Sequence, residues 1–297
     1  MENTNYPAPV DTLLTFGTAD RETVDDWPNH LTSGIGPEHI PDLIRMAKDE
    51  SLRYKYFDDE AYPDFNEAEH PEFWAPIHAI HALGALHAVS ASESLLPLFD
   101  AAMKNDDEWM AEDLPDAYGM FGPEAISSLA PYIAEQNHDT YAKGYAIEAL
   151  QRIAAKHPDP DTRAKVAAVL TKQLEHFEEN SEEVNASLIV GLVQVQAVDA
   201  APLIERAFAA DKVDTLYMGD WDDVQVQLGL QTTQQLDDKR RKEWEEEVAQ
   251  REKDNPADVP VSNPYSTPSH PHKRTAKKKA KAKMAKMARK RNKPKKK

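Results

Sequence analysis

The chain has 297 residues, with 52 acidic against 35 basic side chains, a net charge of −17 and no cysteine. The lack of thiols excludes disulfides, thiolate nucleophiles, thiolate-held iron–sulfur clusters and cysteine zinc sites. No run approaches the roughly 18 apolar residues of a membrane span. The first ten residues show no basic segment followed by an apolar stretch, so a cytoplasmic location is expected.

In chain order, the first helix boundary is Gly36-Pro37-Glu38-x-Ile40-x-x-Leu43, which recurs as Gly122-Pro123-Glu124-x-Ile126-x-x-Leu129. Proline at a first helical position sacrifices a donor that has no partner there, and glycine ends the preceding element. The acid that follows favours the positive end of the new helix. Residues 57–72 form an acidic loop whose Asp58, Asp59, Glu60, Asp64, Glu67, Glu69 and His70 lack the spacing of a calcium loop.

A longer repeat follows. Trp74-Ala75-x-x-x-Ala79-Ile80-x-Ala82-Leu83-x-x-Leu86 returns as Tyr141-Ala142-x-x-x-Ala146-Ile147-x-Ala149-Leu150-x-x-Ile153. A worn copy spans 109–121, and a fourth carries Leu188, Ile189, Gly191, Leu192 and Val195. The markers Leu83, Tyr118, Leu150 and Leu192 step by 35, 32 and 42 residues, the period of stacked helix pairs. The alignment places Ala82, Ala117, Ala149 and Gly191 at one close-packed position. The expected fold is all-α, a HEAT-like α-solenoid of stacked antiparallel helix pairs over residues 9–230. Residues 231–254 read as a charged helix with pairs such as Asp238–Lys242. Residues 255–272 read as a Pro/Ser-rich linker, and 273–297 as a disordered basic tail.

Particular residues resemble known repeats. Ala79-Ile80-x-Ala82-Leu83-Gly84 and Ala200-Ala201-Pro202-Leu203-Ile204 resemble the HEAT repeats of phycobilisome lyases. Three further stretches together resemble a bacterial HEAT-like family of unknown function. They are Pro9-Val10-Asp11-x-Leu13-Leu14, Pro37-Glu38-His39-Ile40-Pro41-x-Leu43-Ile44 and Gly219-Asp220-Trp221-Asp222-Asp223-Val224-Gln225. The resemblance covers residues 9–230 and implies a fold. It implies no activity, because a repeat describes the scaffold and not a site.

Three constellations carry possible chemistry. His78 and His81 lie one helical turn apart and align, one repeat later, with Asp113 and Asp116. Stacking then sets His78 opposite Asp113 and His81 opposite Asp116. Two imidazoles and two carboxylates suit a divalent metal or acid–base chemistry. The preferred alternative is a set of hydrogen-bonded pairs on the flank of the helix interface, beside the stripe of Ala75, Ala79, Ala82 and Leu86. Asp220, Trp221, Asp222 and Asp223 suit a cation pocket or, preferably, a helix start that caps the C-terminal end of the stack. The tail is the third. Residues 273–297 hold 15 of the 35 lysines and arginines and no acid, leaving 20 basic against 52 acidic residues before them. Lys277, Lys278, Lys279, Lys281, Lys283, Lys286, Arg289, Lys290 and Arg291 are its candidate contacts to RNA or another polyanion, the ribosome included.

No phosphate loop, nucleophile elbow or His-Glu-x-x-His motif is present. The expectation is a non-catalytic scaffold without a cofactor. Its acidic surface would take a protein partner, and its tail a polyanion. The alternatives are an enzyme or metal protein built on the His/Asp ladder, and a pure adaptor with a silent tail.

Overall fold

Six helices in this chain start on side chains that accept hydrogen bonds from their own first turn. Asp49, Asp107, Asp139, Asp159, Ser181 and Asp220 all cap in this way, supplying partners to amides that would otherwise have none. The computed structural model describes residues 5–19, 27–57, 60–62, 64–216 and 218–254. The expected linker, the basic tail with its candidate lysines and arginines, and Asp58 and Asp59 of the acidic loop lie outside the described residues.

The chain divides into two units, Met1–Val195 and Gln196–Lys297, and this division falls within the 9–230 span read as one repeat domain. The first unit opens with 3-10 turns at Val10–Thr15 and His30–Ser33. Its helices are α1 (Ile40–Ala47), α2 (Glu50–Arg53), α3 (Ala75–Ala85), α4 (Ser92–Leu95) and α5 (Pro97–Asn105). They continue with α6 (Glu108–Phe121), α7 (Ile126–Ala134), α8 (Thr140–Lys156), α9 (Pro160–Leu174) and α10 (Glu182–Gln194). No strand occurs among the described residues. The twin Gly-Pro-Glu motifs behave alike: Pro37–His39 and Pro123–Ala125 are 3-10 turns that feed α1 and α7.

Packing follows chain order. α1 lies on α3, α3 on α6, α6 on α8 and α8 on α10, while α5, α7 and α9 fill in against α6, α8 and α10. This is a sequential stacking of helix pairs, consistent with solenoid-like packing. Small residues make the approach possible. Ala82, Ala117 and Ala149 are fully buried. A Cβ added to Gly119 would come within 2.9 Å of Arg152 Cβ, and one on Gly191 within 2.7 Å of Leu170 Cδ1.

The second unit contains α11 (Ala201–Ala209), α12 (Trp221–Gln227) and α13 (Thr233–Asp254). Asp220 and Asp223 form a reciprocal cap at the start of α12, each accepting from the other's backbone N–H at 3.1 Å. All three carboxylates of this stretch are matched by α13. Lys239 pairs with Asp222 at 2.7 Å, and Arg240 with Asp220 and Asp223 at 3.0 and 3.1 Å. Trp221 is half-buried, 6.2 Å from the Phe208 ring. Along α13, Asp238 pairs with Arg241 and Lys242 with Glu246, in place of the expected Asp238–Lys242 pair. Leu236 is its buried apolar anchor.

Candidate metal centre

From Trp74 to Leu86 the sequence contains no charged residue, and Ala75 through Gly84 of α3 are all buried. A helix that is apolar all round must be surrounded on every side. α1 and α6 cover two sides of α3, and the N-terminal 3-10 turns pack on it as well. His78 and His81 therefore have no exposure at all. This corrects their expected place on the flank of the interface: α3 has no solvent face for them to border.

Both histidines meet a third, His30, from the turn His30–Ser33. The ring centroids are 5.1 Å apart for His30–His78, 6.0 Å for His30–His81 and 5.9 Å for His78–His81. One nitrogen from each lies within 4.8 Å of the others. The outer partners assign the tautomers. His78 Nε2–H donates to the Gly17 carbonyl at 2.8 Å, since a carbonyl only accepts. His78 Nδ1 is then the acceptor for His30 Nε2–H at 3.0 Å. His81 Nε2–H donates to Asp113 Oδ2 at 2.7 Å, which makes Nδ1 the nitrogen that a metal would take. His30 Nδ1 is buried with no hydrogen-bond partner among the described residues. Hydrogen bonds among the described residues therefore leave His30 incompletely satisfied.

Aromatic rings wall the cluster. Phe16 lies 5.3 Å from both His30 and His78, and Trp27 stacks on His81 at 3.8 Å with the planes 11° apart. Burial, then the neighbouring His78 and His81, lower the His30 pKa to about 3. That keeps it in the neutral form that ligates metals. Burial pushes the Asp113 carboxyl up to about 7, Glu112 and Asp107 adding to the rise and Arg53 opposing it. A cation held by the histidines would draw it back toward the carboxylate.

α6 delivers Asp113, and a buried ion pair fixes α6. Asp107 caps the helix by accepting from Met110 N at 3.1 Å. It also takes the Arg53 guanidinium in a fork, at 2.7 Å for Nη2. Arg53 in turn donates to the Phe73 carbonyl at 3.2 Å and lies 4.2 Å above the Phe73 ring. Both members of the pair are essentially unexposed.

The expected ladder thus forms in a different register. His81 meets Asp113, whereas Asp116 turns to Arg152 at 3.2 Å and lies outside the cluster. His78 meets His30 and Gly17 rather than Asp113. Sequence reading missed His30, Phe16, Gly17 and Trp27. The one available signal was the uncharged run around His78 and His81, which demands cover from somewhere else in the chain.

Fold and site define an all-α protein of sequentially stacked helices around a buried three-histidine cluster. Residues 60–250 match the family described as Protein of unknown function (DUF1186). The match spans well over half of the chain, which belongs to this family. It includes His78, His81 and Asp113, while His30 precedes it. No curated protein and no solved structure matches the chain.

Proposed function

We propose that this protein binds a divalent transition-metal ion through His30, His78 and His81. The carrying observation is the convergence of three buried imidazoles, two of which are anchored through their other nitrogen, by the Gly17 carbonyl and the Asp113 carboxylate. Such outer partners fix the ring and raise the basicity of the ligating nitrogen. Three imidazoles suit zinc, cobalt, nickel or copper and disfavour magnesium and calcium, which prefer oxygen donors. A bound ion supplies Lewis acidity. The chain's own residues hold His30 neutral, orient the three rings and exclude bulk water.

The test is elemental analysis of protein purified without chelator, followed by zinc and cobalt titration read through the fluorescence of Trp27 and its neighbours. One ion per chain, lost in His81→Ala and His30→Ala, is expected. Absence of any ion, together with no change of melting temperature on adding zinc, would reject the reading.

The sequence supports a second reading of the whole chain. Close-packed small residues at a repeat period favour a HEAT-like stack that serves as a scaffold for a protein partner. The concentration of 15 cations and no acid in residues 273–297 favours contact of that segment with RNA or another polyanion. The two readings are compatible, since one concerns the core and the other the surface and tail.

A further inference from the structure

We infer that the ion at this centre keeps one coordination position for a small exogenous anion, reached past the ring of Phe16. The inference rests on the metal reading above and deepens it by naming the class of ligand.

Donor count is the first argument. Among the described residues the group is three histidines, whereas zinc and its neighbours take four ligands or more. No thiol exists in the chain. Asp113 holds His81 through Nε2 at 2.7 Å, across the ring from the nitrogen that a metal would take. It orients His81 and is not itself positioned as a fourth ligand.

Charge is the second. Three neutral imidazoles bring no negative charge to the ion's inner sphere, and Asp113 acts only from behind His81, so a buried ion keeps positive charge that is costly to hold there. An anion such as hydroxide in the inner sphere relieves this directly, and a metal-bound water ionises near neutral pH for the same reason.

Access is the third. On one side Trp27 stacks on His81, and its ring also lies against Gly84, where Met120 closes in behind. On another side the Phe16 ring lies 5.3 Å from those of both His30 and His78, yet the residue is 38% exposed. Among the described residues, Phe16 thus meets the imidazoles on one side while part of it is open to solvent. On this proposal a small anion enters by rotation of that ring. Exchange is a plain substitution in which the anion enters as a water leaves, with no change of oxidation state.

The experiment uses full-length protein loaded with cobalt(II), whose visible bands report coordination, titrated with azide. Azide should shift the bands to a new limiting spectrum. Phe16→Ala should bind azide several-fold faster, and Phe16→Leu should behave similarly if the alanine variant fails to fold. A cobalt spectrum indifferent to saturating azide in wild type and variant would mean that an internal group fills the position, and would overturn the inference while leaving the metal reading intact. An azide response with no acceleration in either variant would refute the Phe16 route. Failure to take up cobalt at all would reject the metal reading, and this inference with it.

Discussion

Asp113 and Asp116 sit one turn apart on the same helix and do different work. Asp113 accepts from His81 at 2.7 Å, so changing it to asparagine removes charge while keeping an acceptor of the same shape. Loss of such an outer partner costs roughly 10–100-fold in metal affinity. Asp113→Asn should therefore weaken zinc binding by about that factor in chelator competition and leave the helical melt nearly unchanged. Equal affinity in variant and wild type would show that the carboxylate does not serve the histidine. Stability separates the acids of α6 further. Asp107→Ala strands the Arg53 guanidinium in the interior and should cost about 3–5 kcal/mol in urea unfolding. Asp116→Ala breaks a pair with Arg152, which is 41% exposed, and should cost about 1 kcal/mol or less. Similar losses for the two would contradict this division of roles.

At the scale of the helix, the close contacts follow from small residues at a repeat spacing. Ala149 on α8 has no exposure, and α8 is wedged between α6 and α10. Ala149→Leu should overpack this contact and lower stability by about 1–3 kcal/mol, read as a drop in denaturation midpoint. No loss would count against the tight stack. These contacts were legible in the sequence because Ala82, Ala117, Ala149 and Gly191 recur at one place in a helical pattern. The partners of His81 were not. Aligning Trp74 with Trp109 gives an offset of 35 residues, whereas His81 touches Asp113 at an offset of 32. Equivalent places in a repeat and touching places between two helices differ here by one turn along α6, a slip that a sequence alignment does not contain. His30 was less legible still, because it comes from the N-terminal turns, which share no period with the helices that they cover.

At the scale of the chain, charge dominates. With 15 cations and no acid in residues 273–297, attraction to RNA should be electrostatic and indifferent to base sequence. If about a third of these cations neutralise phosphates, affinity for single-stranded RNA should fall roughly a hundredfold between about 50 and 200 mM salt. Truncation after His272 should abolish it in a filter-binding or anisotropy titration. Equal binding by truncated and full-length protein would remove the tail from the account. The tail is read from composition alone and lies outside the described residues, whereas the histidine cluster emerged only when residues far apart in the chain were brought together by folding.

The distance between those residues has a thermodynamic consequence. His30 and His78 are 48 positions apart, and an ion shared by them would close a long loop in a chain with no cysteine to close it otherwise. The centre would then act as a reversible staple, its strength set by the concentration of free ion rather than by redox potential. Each tenfold rise in free metal above the dissociation constant adds about 1.4 kcal/mol to the folded state. The firmness with which the N-terminal turns are tied to α3 would thereby track the supply of metal around the protein.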